Sequence, residues 1–99
     1  MPEFGSPFSG QKNYRTVTHQ ELIRGIRFMI AAEYEAVQLY MQLAESTENK
    51  LAIEVLTDIA NEERVHAGEF LRLLHVLAPD EAQFYAEGAA EVEAEMKKT

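Results

Sequence analysis

The sequence has no cysteine. Disulfides, thiolate metal sites and cysteine nucleophiles are all excluded on that ground, while the redox compartment stays open. Basic residues are scarce: nine Lys and Arg stand against seventeen Asp and Glu, for a formal net charge of −8. Phosphate binding needs clustered Lys and Arg, so this balance argues against nucleic acid and against anionic membrane surfaces as partners. Long apolar runs are missing too. The longest is Phe28 to Ala32, far short of the roughly 20 residues a spanning helix needs. No signal-peptide pattern opens the chain. The expectation is a soluble, cytoplasmic protein with no membrane partner. Three prolines and five glycines lie mostly near the ends, leaving a long uninterrupted middle that suits helices.

What is present is a hydrophobic content of 46% over 99 residues, ordinary for one globular domain. A chain this short buries only a modest core by itself, so association with a second copy is expected from the start. Residues 1–13 mix Pro, Gly, Ser and Phe without period. They read as a disordered or loosely docked tail. Glu3-Phe4 and Gly5-Ser6 are also what common cloning sites encode, so the tail is set aside and residues 14–99 are taken as the domain.

The spacing predicts a first helix from near Thr18. Thr18 and Glu21 form an S/T-x-x-E capping box, in which each side chain bonds the other residue's free backbone N–H. Its core-facing series runs Leu22, Ile26, Met29, Ile30, Glu33, Val37, Tyr40, Met41, Ala44, in helical steps of three and four. The period fades at the polar turn Glu45-Ser46-Thr47-Glu48-Asn49, which offers several N-caps. A second helix carries Ala52, Leu56, Ile59, Glu63, His66, Phe70, Leu73, Leu74 and Leu77. It stops at Ala78-Pro79, because proline disfavours a helical residue before it. Pro79 suits the first position of a third helix, with Asp80 and Glu81 favourable in its first turn. That helix runs to about Met96 with a thinner apolar set: Phe84, Tyr85, Ala89, Val92 and Met96. The first two helices are each about 27 residues, or roughly 40 Å long. Joined by a short turn, they make an antiparallel hairpin. The fold expected is all-α: the hairpin, a shorter C-terminal helix, and a four-helix bundle completed by two chains.

Three side chains break the apolar stripes. Glu33 interrupts one near its middle; Glu63 and His66, three apart and on one face, interrupt the other. Met29, Ile30, Ala36 and Val37 surround Glu33 one turn away, and Ile59, Ala60, His66 and Ala67 surround Glu63. None is Lys or Arg. Glu21, by contrast, has Arg24 within reach. An ionised carboxylate buried without a partner costs several kcal/mol. Either these groups protonate, or they reach water, or a cation sits between them. A lone Glu-x-x-His is common by chance on acidic helices. The conjunction is less so: counted from the turn near residue 48, Glu33 lies 15 residues back and Glu63 lies 15 forward. In an antiparallel hairpin those positions are level, so Glu33, Glu63 and His66 converge in one layer as metal-ligand candidates.

Glu on one helix followed by Glu-x-x-His on the next resembles the half-site of ferritin-like di-iron carboxylate proteins. The matching stretches are Ala32-Glu33-Tyr34-Glu35-Ala36-Val37, Leu39-Tyr40 and Asn61-Glu62-Glu63-Arg64-Val65-His66-Ala67-Gly68-Glu69-Phe70. Four-helix members carry the motif twice; this chain carries it once. It therefore resembles the encapsulated ferritins, the encapsulin-associated branch of the ferritin-like and rubrerythrin group, over roughly residues 18–96. The resemblance implies a ferroxidase that oxidises Fe(II) with dioxygen at a di-iron site shared between two chains, feeding iron storage. Glu63 would bridge the metals while Glu33 and His66 complete each shell. Mixed O/N ligation without thiolate suits iron or manganese, and zinc can occupy such a site. The implied partners are a second copy, a higher ring-like oligomer and the encapsulin shell, with location inside its nanocompartment. Members of the branch commonly have a C-terminal extension addressing them to the shell. The last residues here, Glu95-Met96-Lys97-Lys98-Thr99, contain no apolar tail, so the shell partnership rests on the family alone.

Tyr40, two turns beyond Glu33 on the same face, is a candidate hydrogen-bond partner or electron donor; a core tyrosine with a polar tip is the simpler reading. Glu35 and Glu62 read as solvated acids, with a role in guiding iron as the alternative. Glu69, one turn past His66, could support that imidazole. His19 and His75 are far from the layer. Two other functions fit the residues: a rubrerythrin-like peroxide-reducing domain, for which no cysteine-bound iron exists here to donate electrons, and a non-catalytic oligomerisation module in which the polar layer sets register.

Overall fold

A computed structural model describes residues 10, 12 and 14–99. The expected tail at residues 1–13 lies, apart from Gly10 and Lys12, outside the described residues. Three helices follow, with no strand among the described residues: α1 (His19–Glu45), α2 (Lys50–Leu77) and α3 (Pro79–Met96). Each boundary has a local cause. The Glu21 N–H donates to the Thr18 hydroxyl at 3.2 Å and the Glu21 carboxylate accepts the Thr18 N–H at 2.8 Å. This reciprocal cap fixes where α1 begins; losing such a cap typically costs about 1 kcal/mol. Asn49 caps α2 by accepting the Ala52 N–H at 2.9 Å. Ala78, at φ −135° and ψ 78°, breaks the helix ahead of Pro79, which becomes the first residue of α3.

Packing inside the hairpin uses a narrow seam. Ile23, Ile26, Ile30 and Ala44 on α1 are buried, with Ala60, Ala67 and Leu74 on α2 and Ala78 at the joint. Ala60, Ala67 and Leu74 recur every seven residues, two helical turns apart, so they stack along one line. The small side chains let the backbones approach. Phe70, Leu71 and Leu77 lean on the end of this seam where Ile23, Ile26, Ile30 and Leu74 meet.

The expected core series is corrected here. Leu22, Met29 and Leu73 are exposed rather than buried. They belong to a second line one residue away from the first: Leu22, Met29, Ala36 and Leu43 on α1, with Ile59, His66 and Leu73 on α2, again every seven residues. The sequence period merged two adjacent seams, of which a single hairpin can fill only one. The expected Glu21–Arg24 pair is corrected as well. Glu21 pairs instead with Arg15, whose guanidinium donates to both carboxylate oxygens at 2.8 and 2.7 Å.

The consequence is a flat, open shape of 51 × 46 × 19 Å with a radius of gyration of 17.5 Å. A compact domain of this length has a radius of about 13 Å. Among the described residues, α3 buries none of its own, and Phe84, Tyr85, Val92 and Met96 stay exposed.

Candidate metal centre

Glu33 comes from α1; Glu63 and His66 come from α2, one turn apart. The level count made from the turn places them opposite one another, and the structure brings them together: one ligand atom from each lies within 4.8 Å of the others. His66 Nδ1 is 3.8 Å from Glu33 Oε2 and 3.6 Å from Glu63 Oε2. Those separations exceed hydrogen-bond reach, so the three groups face a common point without bonding to each other.

Burial within the group is uneven. The Glu33 and Glu63 side chains are mostly covered, while that of His66 is 46% exposed. His66 was expected in the core; it lies on the second, unfilled seam. Glu33 Oε2 is buried and accepts no hydrogen bond among the described residues. A buried charge left unpaired costs several kcal/mol. No Lys or Arg is ion-paired with either carboxylate among the described residues. A divalent cation fits this donor set: it would satisfy the orphaned Glu33 oxygen, offset both carboxylates and accept a nitrogen ligand from His66. Oxygen with imidazole and no sulfur suits iron or manganese better than copper(I).

The other candidates stand apart from the three. Tyr40 is partly buried on α1, about 10 Å further along the helix axis from Glu33. Glu62 and Glu69 are exposed on α2, and Glu35 is partly buried on α1; none joins the group. Sequence reasoning missed the second seam and the exposure of His66. The signal was available: His66 and Leu73 are seven apart, as are Leu22 and Met29.

The rubrerythrin family model matches residues 26–99. A ferritin-like–encapsulin shell fusion protein of Pyrococcus furiosus is 39% identical over 75 residues, 76% of this chain and 22% of that protein. The encapsulin nanocompartment cargo protein EncC of Myxococcus xanthus is 40% identical over 68 residues, 69% of this chain and 52% of that protein. The chain thus spans about half or less of the length of these two curated relatives. The crystal structure of the encapsulated ferritin domain from Pyrococcus furiosus matches with a TM-score of 0.84 at 32% identity, covering 93% of this chain and 94% of that one. The open hairpin is half of a ferritin-like bundle, and the chain belongs to the rubrerythrin family, in its encapsulated-ferritin branch.

Proposed function

We propose that two copies meet across the second seam and form a ferroxidase, which oxidises Fe(II) to Fe(III) with dioxygen at a di-iron centre built from Glu33, Glu63 and His66 of each chain. The observation that carries this reading is the buried Glu33 Oε2, which has no hydrogen bond and faces Glu63 and His66 with no Lys or Arg paired to it among the described residues. Two copies supply four carboxylates, whose four negative charges match two ferrous ions. The exposed line of Leu22, Met29, Leu43 and Leu73 runs alongside His66, so the same contact that completes the centre also covers apolar surface. The family generally binds iron, which supports iron over manganese or zinc as the metal.

Ferrous iron is the substrate and brings the redox chemistry, with dioxygen as the electron acceptor. The chain's own residues do the rest. Glu33 and Glu63 would attract and hold the cations. His66 would contribute a nitrogen ligand through Nδ1, the ring atom turned toward both carboxylates. Tyr40, two turns from Glu33 on the same face of α1 and outside the group of three, is the candidate electron donor in this reading. The names of the two relatives support a further step, that the protein works with an encapsulin shell, inside its nanocompartment in the cytoplasm; that the ferric product feeds iron storage rests on the family resemblance alone.

The test couples rate to assembly. Fe(II) oxidation is followed by absorbance while sedimentation reports mass, with iron and with chelator. The proposal expects oxidation faster than in buffer and a larger particle with iron. Full assembly in chelator without any rate enhancement would favour a structural polar layer instead.

A further inference from the structure

We infer that α1 locks the joint between α2 and α3 with two polar clasps, so that α3 is an arm held at a fixed angle rather than a freely hinged tail. The joint is Ala78-Pro79. Just before it, His19 Nε2 of α1 lies 2.8 Å from the carbonyl oxygen of Leu77, the last residue of α2. With that nitrogen protonated, the ring donates to a carbonyl that has no partner within its own helix. Just after the joint, Arg27 of α1 is ion-paired to Glu81 in the first turn of α3. The Tyr85 hydroxyl donates to the other oxygen of the same carboxylate. From α2, His75 packs edge-on against Tyr85, ring centroids 5.5 Å apart at 61°. Side chains from all three helices therefore converge on the first two turns of α3.

Packing alone does not explain the angle. Among the described residues α3 buries none of its own, and the apolar set further along it is exposed. Beneath the joint lies a hollow of about 450 Å³ between Ile30, Tyr34, Leu71 and Tyr85, so the arm does not close down on the hairpin. Pro79 prevents α2 and α3 from merging into one helix, but it leaves rotation at Ala78 free within the extended region. Ala78 itself packs in the core cluster, and the polar clasps on either side of it add the directional restraint on that rotation. A charge-assisted carboxylate with two donors is directional, which is what an angular lock requires. Glu81 is held below the usual carboxylate range by the Tyr85 hydroxyl and by Arg27, consistent with an ionised group in the clasp. The lock stands apart from the metal centre, which lies further along the hairpin.

The absence of native cysteine makes a direct test clean. Spin labels on Gln38→Cys in α1 and Glu91→Cys in α3, both exposed positions, report the arm angle by pulsed electron resonance. Labelled chain is diluted into unlabelled chain so that only distances within one chain contribute. The native joint should give a single narrow distance distribution. Arg27→Ala and Glu81→Ala should each shift and broaden it, Tyr85→Phe should broaden it less, and Asp80→Asn should leave it unchanged. Circular dichroism checks that helicity is kept; if either alanine variant loses it, Tyr85→Phe and Arg27→Gln decide the question. A distribution that keeps its native maximum and width in the clasp variants would overturn the lock.

Discussion

Glu33 and Glu81 are two carboxylates of nearly equal side-chain exposure, 16% and 15%, in opposite settings. Glu81 has Arg27 and the Tyr85 hydroxyl on its two oxygens. Glu33 has a buried oxygen with no hydrogen bond, and its neighbours are another carboxylate and an imidazole. A structural acid carries its own counterion; an acid left without one, in a half-covered layer, calls for a cation from outside. The difference separates the part of the molecule that holds its shape from the part that awaits a ligand.

The largest expected effect lies at the unsatisfied end of that comparison. Glu63→Ala should bring the initial rate of Fe(II) oxidation down to that of buffer with helicity intact, whereas Glu81→Gln should keep the native rate. Equal rates for native protein and Glu63→Ala would remove the catalytic reading. Next in size is assembly: chelator should reduce the sedimenting mass, and iron should restore it in native protein but not in Glu33→Gln.

Stability then tests the comparison by sign. In chelated protein, Glu33→Gln replaces the carboxylate whose buried oxygen has no hydrogen bond among the described residues and should raise the unfolding midpoint, for a gain in stability on the order of 1 kcal/mol. Glu81→Gln breaks an existing clasp and should lower it. If both changes moved the midpoint the same way, the two carboxylates would not differ as described. Leu74→Ala, at the most buried large side chain of the hairpin, sets the scale of ordinary packing, with an expected loss of about 2–5 kcal/mol.

The smallest effect is at the start of α1. Arg15 and the Thr18 N–H hold the Glu21 carboxyl well below its ordinary value of 4.5, at about 2. A lowered folded-state value means the contribution is fully present above 4.5 and is lost as pH falls toward 2. Acid titration of native protein should therefore show a loss in that window that Glu21→Gln lacks.

Local chemistry was legible in the sequence. The Thr18–Glu21 box, the polar turn at residues 45–49 and the Ala78-Pro79 stop each depend on near neighbours, so the helix limits followed from them. Which of the turn's several candidate caps opens α2 came from the structure. The layer of Glu33, Glu63 and His66 was legible because a short turn between long helices leaves almost no freedom of register. Contacts distant along the chain were not legible. Arg27 and Glu81 are 54 residues apart, and no periodicity links them. Arg15 displaced Arg24 as the partner of Glu21 because its guanidinium reaches both carboxylate oxygens from outside the helix. The two seams were read as one because apolar residues at adjacent positions differ by only 100° around a helix, and only packing separates a filled line from an open one.

The central claim is that two chains jointly hold a pair of irons. Anomalous diffraction at the iron edge, from crystals grown or soaked with ferrous iron, tests it most directly. The account predicts two iron peaks between two chains, within ligating reach of Glu33, Glu63 and His66 from both. Empty density at that layer, or iron held by the three residues of one chain alone, would contradict it.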